Sequence, residues 1–120
     1  MEEVSGWMDK SKRDFSTAET NLREGIYDAS AFYSQQAAEK ALKALYIRNN
    51  KRLWKIHDLT ELGKNLGAPG DIIIVCESLS QHCIATRYPT DARYEKVDAE
   101  EAVEQAKTVI EWVKKELSVK

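Results

Sequence analysis

Apolar side chains return every third or fourth position through most of this chain, and only a helix gathers residues with that spacing onto one face. Between Val4 and Ile26 the series Val4, Trp7, Met8, Phe15, Ala18, Leu22 and Ile26 keeps the repeat, which predicts one long amphipathic helix. Gly25 suits its stop, since a left-handed backbone after the last turn favours glycine. Asp28 is placed to cap a second helix, running from about Ala29 to Asn49. There Phe32, Tyr33, Ala37, Ala41, Ala44 and Leu45 share one broad face. The aromatic pair is read as core, and the alanines allow a neighbouring helix to approach closely.

Asn49 and Asn50 end this helix, and a basic loop containing Trp54 leads to His57. Asp58-Leu59-Thr60-Glu61 has the spacing of an N-cap with an acid three positions later, so a short helix starts there and stops at Gly67. Pro69-Gly70-Asp71 opens a fourth helix, in which Ile72, Val75, Cys76, Leu79 and Cys83 fall at helical spacing. The stretch from Thr86 to Val97 has no apolar period and reads as a loop. Asp98-Ala99-Glu100-Glu101 repeats the capping spacing, and Ala102, Ala106, Val109, Val113 and Leu117 then form the inward face of a last helix. The expected fold is all-α: a single up-and-down bundle of about five helices, three of them long, in one domain over residues 1–120.

With 120 residues, 42% of them hydrophobic, the chain can bury one core without disulfides or metals but is short for barrels and dinucleotide-binding folds. On one helix Cys76 and Cys83 would stand roughly 10 Å apart along the axis, too far for a bridge. No spaced Cys/His set supports a metal site, and no cofactor is implied. The N-terminal stretch has no basic region followed by an apolar run, and no apolar stretch reaches the roughly 20 residues that cross a bilayer. A cytoplasmic protein without membrane contact is expected.

A net charge of −2 argues against a general polyanion coat. The distribution is uneven, however. Residues 40–57 hold Lys40, Lys43, Arg48, Lys51, Arg52 and Lys55 and no acid, so the remaining residues sum to −8. Such asymmetry points either to a local anion-facing surface or to a solvated helix end whose cations complement the helix dipole.

Three further segments carry a family likeness. The run Ala31-Phe32-Tyr33-Ser34-Gln35-Gln36-Ala37-Ala38-Glu39-Lys40-Ala41-Leu42-Lys43-Ala44-Leu45, then His57-Asp58-Leu59 with Leu62, then Arg87-Tyr88-Pro89, resembles the prokaryotic HEPN domains, named from higher eukaryotes and prokaryotes nucleotide-binding. The resemblance covers nearly the whole chain. It implies an all-α domain built on a long antiparallel helix pair, usually homodimeric and commonly paired with a small nucleotidyltransferase. Some members are metal-independent ribonucleases of toxin–antitoxin systems that carry Arg followed four to six residues later by His. Others bind nucleotides or the partner protein.

Arg52-Leu53-Trp54-Lys55-Ile56-His57 satisfies the Arg-x4-His spacing. Metal-free RNA cleavage needs a group that moves the 2′-hydroxyl proton and a cation beside the phosphate, and His57 with Arg52 can supply these catalytic roles. Leu53 follows Arg52 where the ribonucleases usually place a polar residue, and the later Arg87-Tyr88-Pro89-Thr90-Asp91 has no His. Arg87, Tyr88 and Asp91 make a second constellation: a guanidinium beside a phenol can hold phosphate while the ring faces a base. Lys40, Lys43, Arg48 and Lys51 would border the same anionic groove. The reading favoured by these residues is a homodimeric nucleotide- or RNA-phosphate-binding module acting with a nucleotidyltransferase. A metal-independent endoribonuclease and a protein-interaction scaffold are the alternatives. His82, lacking a ligand-spaced partner, is expected to be structural or exposed.

Overall fold

The computed structural model describes residues 2–50, 58–85 and 93–119. Five α-helices follow one another: α1 (Glu2–Arg23), α2 (Tyr27–Asn50), α3 (Leu59–Asn65), α4 (Gly70–Ala85) and α5 (Lys96–Leu117), with no strand among the described residues. The result is the expected all-α bundle with three long helices.

Helix α2 is the axis of the bundle. All four other helices pack against it, and 14 of its 24 residues are buried, including every residue from Ala41 to Ile47. Seven consecutive buried residues span about two full turns, so in that region α2 is covered on every side. One apolar cluster joins Ala38, Leu42 and Leu45 of α2 to Leu59 and Leu62 of α3, Cys76 and Leu79 of α4, and Val109 and Val113 of α5. Met8 and Phe15 of α1 pack against it.

The alanines explain how so much helix fits around one rod. Ala31, Ala37, Ala38, Ala41 and Ala44 are all fully buried, and a methyl side chain lets helix axes come close. Close approach also permits direct side-chain to backbone bonds between α1 and α2. Ser11 Oγ donates to Ala37 O at 2.7 Å, and Ser30 Oγ donates to Ala18 O at 2.8 Å.

Helix ends follow local chemistry. Gly25, at φ 77°, sits where α1 turns over, and the bonds Ile26 N→Asn21 O and Gly25 N→Leu22 O close the paired C-terminal pattern that needs a left-handed residue. Gly67, at φ 71°, does the same for α3 through Ala68 N→Gly63 O and Gly67 N→Lys64 O. Asp58 caps α3 as its spacing predicts, its Oδ1 accepting from Thr60 N at 2.9 Å and Glu61 N at 3.4 Å.

Three local expectations are corrected. Helix α2 begins at Tyr27, two residues before Ala29, so Asp28 lies in its first turn and accepts from Ala29 N at 2.9 Å. Helix α5 begins at Lys96, with Glu95 as its N-cap residue and Asp98 at the third helical position, its Oδ2 accepting from Glu95 N at 2.8 Å. Acids at 95, 98 and 101 fit two overlapping capping frames, and the earlier one is used. Phe32 and Tyr33 are half-buried and pack edge to face at 5.3 Å. The tight helix contacts there belong to Ser30, Ala31, Ser34, Ala37 and Ala38, positions too close to a neighbour for a ring.

Two substitutions test this account by urea denaturation. Ala38→Leu should overpack the fully buried helix contact and cost about 1–3 kcal/mol. Gly25→Ala, forced into a left-handed backbone, should cost about 1 kcal/mol.

Candidate functional site

Helix α2 carries polar side chains into the bundle it organises. Gln35 is fully buried, and Glu39 and Lys43 are only 2% and 4% exposed. Each is one turn from the next, so they stack along one stripe of the helix. Lys43 Nζ donates to Glu39 Oε2 at 3.0 Å, Gln35 Nε2 approaches Glu39 Oε1 at 3.5 Å, and Gln36 Nε2 donates to Gln35 Oε1 at 2.6 Å. Lys40 Nζ donates to Gln36 Oε1 at 3.0 Å and reaches Asp14 Oδ2 of α1 at 3.2 Å. At the other end the Lys43 ammonium lies 5.4 Å from the centre of the Trp7 ring, within reach of the negative ring face. A continuous polar chain therefore runs Asp14, Lys40, Gln36, Gln35, Glu39, Lys43, Trp7.

Burial sets the energetics of this chain. Removing an ion from water costs several kcal/mol, which the opposite charge and hydrogen bonds must offset. Glu39 and Lys43 do this for each other inside the bundle. The Lys40–Asp14 pair is more open, with side chains 14% and 21% exposed, so solvent screens it and its worth falls toward about 1 kcal/mol.

A second polar pair spans α4 and the residues before α5. His82 Nδ1 and Tyr94 Oη are 2.8 Å apart, with ring centres at 5.4 Å, and both groups are half-buried. Burial lowers the His82 pKa, opposed in part by Asp98 and Glu101. Burial raises that of Tyr94, assisted by Asp98 and Asp28. Neutral imidazole and neutral phenol thus suit one another, one donating and the other accepting. His82 is structural, one of the two outcomes expected of it, and its partner Tyr94, twelve residues away, was legible only as part of the loop between Thr86 and Val97.

The basic residues read from the sequence separate into groups. Lys40 and Lys43 join the α2 chain. Arg48 lies elsewhere: its Nη1 donates to Leu117 O at 3.1 Å and Val119 O at 3.0 Å, where carbonyls at the end of α5 favour a cation. Lys51, Arg52, His57, Arg87, Tyr88 and Asp91 lie outside the described residues. Among the described residues no group of three His, Cys, Asp or Glu is placed to hold a metal ion. Cys76 is buried and unbridged, its thiol pushed up to about 12 chiefly by burial, which leaves it unreactive. None of the helices among these residues is long and apolar enough to cross a membrane.

The Gln35–Glu39–Lys43 stripe was missed in the sequence because amphipathic counting assigns polar residues outward. Its signal was the spacing: polar residues at 35, 39 and 43 share a face with Ala31 and Leu42 rather than opposing one.

Comparison with known proteins adds an independent line. The HEPN domain model matches residues 4–117. The Methanocaldococcus jannaschii protein named "Putative toxin MJ1304" is 29% identical over 125 residues, covering 88% of this chain and 82% of its own. A crystal structure of TT1696 from Thermus thermophilus superposes with a TM-score of 0.89 at 28% identity, over 96% of this chain and 98% of its own. The archaeal HEPN homologue ST0689 superposes at 0.83 with 29% identity, over 98% of this chain and all of its own.

Two measurements test the geometry. Glu39→Ala, which takes away the carboxylate 3.0 Å from a buried ammonium, should cost about 3–5 kcal/mol in urea denaturation. Because the folded His82 pKa lies below its unfolded value, the unfolded chain binds more protons as pH falls through that unfolded value. This contribution to stability is therefore complete above about pH 6.5 and lost as pH drops toward the folded pKa. His82→Gln should flatten the stability difference between pH 7.5 and 5.5 relative to the parent chain.

Proposed function

The chain belongs to the HEPN domain family, and on that footing we propose that it is a toxin-like homodimeric module that binds a nucleotide or RNA phosphate and works with a nucleotidyltransferase partner. The observation that carries this reading is the polar chain along α2. Apolar side chains of equal volume would hold α1 and α2 together without the desolvation cost of Glu39 and Lys43. Charged groups kept there at that cost suit a role in holding the neighbouring polar surface.

In this reading Lys40, the more open of the two α2 lysines, meets an anionic group by exchanging its contact with Asp14. Lys43 supports that stretch of α2 from inside, and Arg48, held by the carbonyls at the end of α5, adds its charge from further along the helix. Lys51, Arg87, Tyr88 and Asp91 complete the phosphate site, the guanidinium gripping oxygens and the phenol ring facing the base. Isothermal titration with ATP and GTP should give saturable binding that weakens with salt, and by at least tenfold in Arg87→Ala. No heat at millimolar nucleotide would remove the proposal.

Similarity to the Methanocaldococcus jannaschii protein favours a second reading, a metal-independent endoribonuclease using Arg52 as the phosphate-side cation and His57 as the proton-transfer group. Labelled RNA incubated with the protein in EDTA should then be cut, and cutting should fall at least a hundredfold in Arg52→Ala and in His57→Ala. Cleavage that survives both substitutions would exclude these roles.

A further inference from the structure

Helices α1 and α5 both lie along α2 and leave a cleft between them, on a part of the surface that the polar chain of α2 does not use. Met8 and Phe15 of α1 and Ile110 of α5 give it an apolar lining, and its volume is about 390 Å³. Ser11 also lines it, but its hydroxyl proton already goes to Ala37 O at 2.7 Å. The lining is therefore mainly apolar contact surface.

The rims are charged. Lys12 stands on the α1 side, and Lys107 and Lys114 stand on the α5 side. Asp9 and Glu111 are the acids that line it, leaving one excess positive charge. Among the described residues these five groups form no ion pair with one another or elsewhere, in contrast to Lys40 and Lys43. Their exposed cations are available to an incoming anion.

The dimensions select the ligand. Met8 and Phe15 are seven residues apart, as are Lys107 and Lys114, so lining and rim both extend about 10 Å, or two helical turns. A small anion with one charged head would meet the cations at one point. An amphipathic helix carries apolar anchors at i, i+3 or i+4, and i+7, over this same length, and charges along both flanks. Among its described residues, a second copy of this chain has no such helix to lend. The apolar stripes of α1 and α5 already face α2, and the large exposed apolar side chains Ile26, Ile74, Val97 and Val119 are scattered singly.

We propose that the α1–α5 cleft receives an acidic amphipathic helix from a partner protein, its apolar stripe against Met8, Phe15 and Ile110 and its carboxylates against Lys12, Lys107 and Lys114. The cleft shares no residue with the phosphate site proposed above, and the proposal does not depend on that site.

The probe is a fluorescein-labelled, end-capped helical peptide with leucines at i, i+4 and i+7 and glutamates on both flanks. Fluorescence anisotropy with the full chain should show saturable binding that weakens at least tenfold in the double variant Lys12→Glu/Lys114→Glu, with circular dichroism confirming that the variant stays folded. A peptide with lysines replacing the glutamates, and one of scrambled order, should bind at least tenfold more weakly. Absence of saturable binding, equal binding of the scrambled peptide, or affinity unchanged in the double variant overturns the proposal. Sedimentation supplies an independent readout: loss of a dimer in the double variant would make the cleft a self-interface and overturn it as well.

Discussion

The fold depends on one helix having almost no outside. Because α2 touches every other helix and is covered all round between Ala41 and Ile47, the identity of each residue in that stretch is set by a neighbour and not by solvent. Alanine serves where another backbone comes close, leucine where space must be filled, and polar residues appear only where partners are at hand. The serine hydroxyls show how tight the packing is. Ser11 and Ser30 reach carbonyls on the facing helix directly, which requires the two backbones to lie within a side chain's reach.

Much of the architecture was legible because helix ends and apolar repeats are local signals. Asp58 with Glu61, and the glycines at 25 and 67, mark turns whose hydrogen bonds involve residues at most five apart. Where local signals overlap, they lose resolution. Glu95 and Asp98 offer one frame and Asp98 and Glu101 another, and only tertiary context chooses between them. The α2 polar stripe and the His82–Tyr94 pair were not legible for a different reason. Their energies come from burial and from partners brought in by folding, and a sequence shows neither.

Charge counting shows the same limit. Residues 40–57 contain six cations and no acid, yet Lys40 is answered by Asp14, twenty-six positions earlier, Lys43 by Glu39 just outside the counted window, and Arg48 by carbonyls at the far end of the chain. Half of the apparent patch is engaged within the fold. Lys51, Arg52 and Lys55, the other half, lie outside the described residues. The +6 block therefore overstates how strongly this end of the molecule attracts an anion.

The polar chain of α2 also has an order in time. Trp7, Asp14, Gln35, Gln36, Glu39, Lys40 and Lys43 all belong to α1 and α2, which a three-residue connection joins. A ribosome makes every one of these groups before it reaches α3. The ion pairs and amide bonds described above can thus close within a nascent helical hairpin while α5 is still unsynthesised. What α5 later brings to the interior is mostly apolar, Ala102, Ala106, Val109 and Val113 among it, with Gln105 donating to Ser78 Oγ of α4 at 3.1 Å. Assembly of the bundle accordingly divides into an early step that can close the α1–α2 polar chain and a late one that adds mainly apolar surface, together with the Arg48 and His82–Tyr94 contacts.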